Sequence, residues 1–397
     1  MMDTVPVSEL SARVGHLQKV LPPAGIGLAL IRQPADLFYY AGTIVDGFLA
    51  VAPSGQPLLM VRRPHHQDQP APGPWARTLY RDLKDLPWIL ARGGLKPQGV
   101  VGLELDVLPA ALFRRIQDQI FPGHAIADLS PLVRQQRMVK SAYELDQLRR
   151  AAAILDQAHE DVPGLLAPGM SELEVSAALE YRLRLLGHQG LVRVRNWDLE
   201  VFYGHVLSGV SGLLAAYTDT PSGGHGFSSA FPQGPSLKKL VPGEPISIDL
   251  AACINGYVVD MTRMYALGSL PSQAWEAWEA VEELYRLFTA AARPGANPGE
   301  IFRLLWEAAR ARGLGDCFMG LEPDRVSFLA HGVGLELDEY PFITARFPLP
   351  LEADMVLAFE PKFFLPEIGM IGQEDTGRIT PEGVEWLTHS PRGITLV

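Results

Sequence analysis

A chain of 397 residues is long enough for two to three domains, and 47% hydrophobic content can fill sizeable cores. A net charge of −11, with no run rich in lysine or arginine, argues against a nucleic-acid partner. No apolar run approaches the roughly 18 residues that cross a bilayer. The start MMDTVPVSELSARVGHL has no signal-peptide pattern, and Cys253 and Cys317 are too few for a disulfide framework, so a cytoplasmic protein with no membrane partner is expected.

In chain order, the pattern predicts an opening helix near Val7 to Val20, a strand in GIGLALI, a hairpin through FLAVAPSGQPLLMVRR, a strand in GVVGLEL and a helix in LPAALFRRIQDQIF. The Pro/Gly-rich stretch around Gln67 to Pro74 reads as a surface loop. A boundary near Ser130 to Arg137 separates an α/β domain, 1–135, from an α+β domain, 136–397. The second domain carries an internal echo. A helix followed by VPGLLAPGMSELEVSAALEYRLRLLGHQG is matched by a helix followed by ARPGANPGEIFRLLWEAARARGLGD, each giving helix, Pro-Gly turn, helix and glycine stop. Ser171 with Glu174 forms a capping box for one second helix, and the prolines and glycines around Pro298 open the other. Strands follow both copies, which predicts two helix pairs on one side of a curved antiparallel sheet. Trp275, Trp278 and Trp306, at helical spacing, read as core or interface.

The chemistry concentrates in IDLAACINGYVVDMTR. Asn255-Gly256 between two β-rich runs is the strongest short-range signal for a type I′ hairpin, which sets Ile254 against Tyr257. Ala251 then faces Asp260 and Asp249 faces Thr262, so the two aspartates project from one sheet face as diagonal neighbours. Two bare carboxylates this close repel, which favours either a bound cation or a shared proton. Further along stand His331 in LAHGVGLELDEYP, Glu360 in VLAFEPKFF and Glu374 in IGQEDTGRIT. Four carboxylates and one imidazole can hold two divalent ions of the Mn, Co, Zn or Fe kind, and neither cysteine joins them. Such a pair polarises a carbonyl and lowers the pKa of a shared water, so hydrolysis is the expected chemistry.

The order Asp249, Asp260, His331, Glu360, Glu374, with a His-Gly-x-Gly turn at His331 and a Glu-Pro step at Glu360, resembles the pita-bread metallohydrolases. That family includes methionine aminopeptidase, Xaa-Pro aminopeptidase, prolidase and creatinase. RMVKSAYELDQLRRAAAI and PADLFYYAGTIVDGFLAV extend the resemblance, in its prolidase branch, over nearly the whole chain. The resemblance implies that Asp249 chelates one ion, that Asp260 and Glu374 bridge both, and that His331 and Glu360 complete the other. It implies a bridging hydroxide as nucleophile, Glu360 as the group that moves the proton, and a homodimer in which the first domain helps to roof the cleft.

Three positions depart from the peptidase pattern. Asp338 stands where a second histidine is usual, FPQG around Pro232 replaces a Pro-His-His segment, and Gly372 replaces an arginine. His205 and His225, in FYGHV and GGHGF, are the candidates to replace the missing shuttle, with Tyr203 and Arg378 behind them. Glycines flanking His225 allow close backbone approach. Asp338 is a structural acid near the cleft or a partner for a substrate ammonium or a protonated histidine. The leading expectation is a metallopeptidase of Xaa-Pro dipeptidase or aminopeptidase type acting on small peptides. A hydrolase of a small amide or cyclic amidine, and a non-catalytic binding protein on a retained fold, are the alternatives.

Overall fold

The structure, a computed structural model, describes residues 4–63, 73–196, 199–218 and 220–397. The expected loop around Gln67 to Pro74 falls largely outside them. The chain divides into two compact units, Met1–Arg137 and Met138–Val397.

In the first unit, strands β1 (Ile26–Ile31), β2 (Gly47–Val51), β3 (Leu58–Val61), β4 (Ala76–Leu79), β5 (Val100–Leu103) and β6 (Ile126–Asp128) form one sheet in the order β4-β3-β2-β1-β5-β6. The PSGQ turn makes β2 and β3 antiparallel, while β5 joins β1 in parallel. Helices α1 (Val7–Val20), α2 (Pro34–Ala41), α3 (Leu86–Arg92) and α4 (Ala110–Gln119) accompany the sheet, and α5 (Ser130–Met138) closes the unit. Leu28, Phe48, Met60, Val101 and Ile116 are among its buried core. Strands β4 and β6 escape sequence reading because they are short and lack a clean alternation.

The second unit opens with α6 (Ala142–Glu160), a short α7 (Val162–Leu165) and α8 (Glu172–Leu186). Then come β7 (Gly204–Ser208), β8 (Pro245–Ile254) and β9 (Tyr257–Ala266), followed by α9 (Ser272–Ala291) and α10 (Pro298–Ala311). The remaining strands are β10 (Phe328–Val333), β11 (Leu337–Thr344), β12 (Val356–Phe359), β13 (Lys362–Leu365), β14 (Gly369–Gly372), β15 (Asp375–Thr380), β16 (Gly383–Trp386) and β17 (Ile394–Leu396). The duplication is present as α6 with α8 and α9 with α10. Ser171 Oγ accepts from the Glu174 amide at 3.2 Å while Glu174 Oε2 accepts from the Ser171 amide at 2.7 Å, which completes the capping box. Asn297 caps α10 through Gly299 N at 2.8 Å, with Pro298 at the first helical position.

The expected single curved sheet differs in detail. Its strands fall into three hydrogen-bonded groups, β11-β10-β12-β15-β16, β13-β14 and β17-β9-β8-β7, and β17 lies parallel to β9. The two larger groups are joined where Thr262 and Glu374 exchange both backbone hydrogen bonds, at 3.3 and 3.2 Å. Helix α6 packs on β8 and β9, while α9 packs on β13, β14 and β16. Phe288 stacks on Phe359 with ring centroids 4.0 Å apart inside that core.

Candidate metal centre

The Asn255-Gly256 turn sets the geometry. Asn255 and Gly256 have φ of 49° and 87°, the left-handed values a type I′ turn requires. Ile254 pairs with Tyr257, Ala251 with Asp260 and Asp249 with Thr262. Asp249 and Asp260 are thereby brought to one face, as expected. The hydroxyl of Thr376 in β15 donates to the carbonyl of Asp260 at 2.9 Å and accepts from its amide at 3.1 Å. Thr262 Oγ1 donates to Glu374 Oε2 at 2.9 Å. Arg263, 2% exposed, donates to the Glu374 carbonyl at 2.8 Å and to Asp375 Oδ1 at 2.5 Å. Sequence reading missed these three holders, because each is an ordinary strand residue until β9 and β15 lie side by side.

His331 reaches the centre from β10, Glu360 from the end of β12 and Glu374 from the start of β15. Its Nε2 is 3.5 Å from Glu374 Oε1 and 3.6 Å from Glu360 Oε1, and its Nδ1 is 3.4 Å from Asp338 Oδ1. All five predicted ligands therefore line or edge one cleft, with His205 and Asp338 beside them. The cleft has an empty volume of about 680 Å³, part of it open solvent, and Phe202, Phe328 and Leu337 form apolar stretches of its wall. His205, in β7 opposite Asp249, directs Nδ1 at the Ser222 carbonyl, 3.1 Å away. A carbonyl only accepts, so Nδ1 carries the proton, and burial holds this imidazole neutral.

Three candidates are absent from the cleft wall. His225 is exposed and does not line the cleft, because its glycine-flanked loop carries it outward. Arg378 pairs with Asp354 at 2.5 Å and Glu385 at 2.8 Å and is likewise absent from the cleft wall. Tyr203 packs at a tilt against the His188 ring, centroids 4.5 Å apart.

Among the described residues, ligand atoms of Asp260, His331 and Glu374 lie within 4.8 Å of one another. All three are buried, and Glu374 Oε1 has no hydrogen-bond partner. Two carboxylates and an imidazole, with an unbonded anionic oxygen between them, fit a divalent ion of borderline softness. Asp249 and Glu360 are engaged differently. The Nζ of Lys362, a residue sequence reading did not single out, is 2.7 Å from Glu360 Oε2, 3.0 Å from Asp249 Oδ2 and 3.3 Å from Glu374 Oε2.

These neighbours set the charges. Burial raises the carboxyl of Asp260 well above its usual range, with Glu374 and Asp249 adding to the rise. Burial likewise pushes Glu360 up to about 8 against the pull of Lys362. For Glu374 burial is outweighed by Lys362 and His331, which bring its carboxyl down to about 2. Burial acts against the charged forms of His331 and Lys362, yet the surrounding carboxylates, Asp338 foremost for the histidine and Asp249 for the lysine, hold both above their ordinary values.

Residues 146–381 match the family described as metallopeptidase family M24, and residues 13–139 match the Creatinase/Prolidase N-terminal domain. An uncharacterised peptidase of Bacillus subtilis, YqhT, is 30% identical over 275 residues, covering 68% of this chain and 69% of its own. An Xaa-Pro dipeptidase of Pyrococcus furiosus is 24% identical over 385 residues, covering 96% of this chain and 99% of its own. Among solved structures, an Xaa-Pro dipeptidase from Bacillus anthracis superposes with a TM-score of 0.82 at 24% identity, over 98% of this chain and 100% of that one. An X-Pro aminopeptidase from Thermotoga maritima gives 0.78 at 24% identity, over 97% and 99%. These likenesses establish the two-domain fold.

Proposed function

This chain belongs to metallopeptidase family M24, and from that membership we propose that it hydrolyses small peptides as an Xaa-Pro dipeptidase or aminopeptidase. The observation that carries the reading is the buried convergence of Asp260, His331 and Glu374 at the wall of an open cleft. Curated relatives named Xaa-Pro dipeptidase, aligned over nearly the full chain, support the substrate class.

A divalent ion of the Mn, Co, Zn or Fe kind bound there supplies Lewis acidity towards a carbonyl and lowers the pKa of a bound water. The protein's own groups do the rest. Asp260, His331 and Glu374 hold the site, and the Thr262 and Thr376 hydroxyls fix the carboxylate and backbone of two of them. Glu360, 3.6 Å from His331, is placed to carry the proton between water and the leaving nitrogen. His205, with its Nδ1 proton committed to Ser222, offers Nε2 as an acceptor towards bound substrate. Asp338 holds His331 from behind and edges the cleft, where it can also meet a substrate ammonium.

A second reading, hydrolysis of a small amide or cyclic amidine, is favoured by one feature. Besides the four candidate ligand carboxylates, Glu200 and Asp338 are acidic among the described residues that line the cleft, and none of those lining residues is lysine or arginine, so a substrate bearing a carboxylate finds little to grip. Metal quantification followed by a substrate panel separates the two: Xaa-Pro dipeptides, longer Xaa-Pro peptides, non-proline dipeptides and small cyclic amides, each with Mn, Co and Zn. Cleavage of Xaa-Pro substrates supports the first reading, cleavage of cyclic amides alone supports the second, and no turnover with metal bound overturns both. A homodimer and a cytoplasmic location complete the proposal. Two free thiols, Cys253 and Cys317, suit a reducing compartment, and light scattering in solution tests the assembly.

A further inference from the structure

Lys362 is the group in the centre that the family reading does not use. It opens β13, two residues after Glu360, and is 1% exposed. Its backbone is held on both sides, the amide against Met319 Sδ at 3.4 Å and the carbonyl accepting from Met319 N at 2.8 Å. The ammonium has three hydrogens and meets three carboxylate oxygens, from Glu360, Asp249 and Glu374, at 2.7, 3.0 and 3.3 Å. That set is the oxygen cradle of a cation. Three carboxyl oxygens within 3.3 Å of one positive centre leave little lone-pair capacity for a second one in the same place, and a divalent ion there would face the ammonium at close range.

The lysine is also built in. In the β13–β14 hairpin Lys362 pairs with Gly372. A Cβ at Gly372 would lie 2.5 Å from Lys362 Cγ, so the side-chain stem runs through the space that any other residue at position 372 would fill. Glycine at 372 and lysine at 362 therefore form a matched pair, one making room for the other.

We propose that the Lys362 ammonium permanently fills one of the two cation positions of this centre, so that the chain binds a single divalent ion at Asp260, His331 and Glu374 while Asp249 serves the lysine. This rests on the reading of those three residues as a metal site. It replaces the two-ion expectation drawn from the five ligands, because an alkylammonium neutralises Asp249 and Glu360 without offering Lewis acidity. One ion and one fixed ammonium then divide the work that two ions share in a bridged pair.

The test is metal content with Mn(II) as probe. Purified protein is equilibrated with excess Mn(II), freed of loose metal, and measured by elemental analysis and electron paramagnetic resonance. The wild type is expected to hold one equivalent per chain with the spectrum of an isolated ion, and Lys362→Ala to hold two with an exchange-coupled spectrum. Two coupled ions in the wild type overturn the inference and leave the hydrolase reading intact. One equivalent in both proteins also overturns it, since the lysine is then not what excludes the second ion. A wild type that holds no Mn(II) overturns it together with the metal reading. One isolated ion in a wild type that turns over no substrate upholds the inference while the hydrolase reading fails. If Lys362→Ala does not fold, Lys362→Met, which keeps the side-chain stem and removes the charge, takes its place in the second arm with the same two outcomes.

Discussion

Asp338 Oδ1 lies 3.4 Å from Nδ1 of His331, on the opposite side of the ring from the Nε2 that faces Glu360 and Glu374. The acid that stands where the family pattern has a histidine is thus a partner of the proposed metal ligand itself. A carboxylate behind a ligating imidazole fixes its tautomer and orientation and raises its basicity.

Replacing that carboxylate is expected to loosen the metal. Asp338 has φ of 61°, a conformation that asparagine tolerates, so Asp338→Asn changes the charge with little backbone strain. Metal affinity should fall about 10- to 100-fold, the usual cost of losing such a partner. A chelator-competition titration checks this, and an unchanged affinity removes Asp338 from the metal's support.

Glu360→Gln separates proton transfer from metal holding. The amide cannot carry the proton, so turnover on whichever panel substrate is cleaved should drop about 100- to 10 000-fold. One equivalent of metal should remain, because Asp260, His331 and Glu374 are untouched. A variant retaining full turnover rules out Glu360 as the proton carrier.

The Gly372 contact predicts an intolerance without any special backbone angle. In Gly372→Ala the new methyl would meet Lys362 Cγ at 2.5 Å and two backbone-related atoms, Lys362 Cα and Pro361 O, at 2.9 Å. Turning the lysine relieves only the first. Overpacking of this kind costs about 1–3 kcal/mol, which chemical denaturation can read directly. A variant as stable as the parent shows that the hairpin yields there.

Acid sensitivity should come from His159. It is buried against Tyr265, with Nδ1 3.0 Å from the phenol oxygen, and burial brings its pKa from 6.5 down to about 3. Between those two values the unfolded chain binds a proton that the folded chain refuses, so acidification favours unfolding. The contribution is complete above pH 6.5 and is lost as pH falls towards 3, with a slope of about 1.4 kcal/mol per pH unit while only the unfolded form is protonated. His159→Phe retains the stacking surface, and the stability difference between the two proteins measured at pH 7 and pH 5 should change accordingly. A constant difference shows that His159 protonates in the folded state.

What could be read without coordinates was local chemistry. Asn255-Gly256 demands a left-handed turn, and a two-residue turn leaves one register, so the pairing of Asp249 with Thr262 and Ala251 with Asp260 followed by counting. Ser171 and Glu174 cap a helix with atoms three residues apart. The three later candidates came from motif order, and the same order pointed to the family that residues 146–381 match. A signal for Lys362 was also present. On extended chain, positions two apart point the same way, which sets a lysine on the same side as Glu360. It passed unnoticed because a lysine at a strand start is usually solvated.

The sequence by itself determined the hairpin and the paired helices, and it named the five candidate residues that come to line one cleft, since turn geometry, capping and ligand type depend on near neighbours. Only the tertiary structure decided which charges meet. Lys362 entered the carboxylate cluster because β13 and β14 pair it with Gly372, Asp338 turned towards His331 because β11 folds back on β10, and His225 was carried away from the cleft. Electrostatic energy depends on separation in space, and the groups concerned lie up to 113 residues apart in the chain, so no local pattern could rank them.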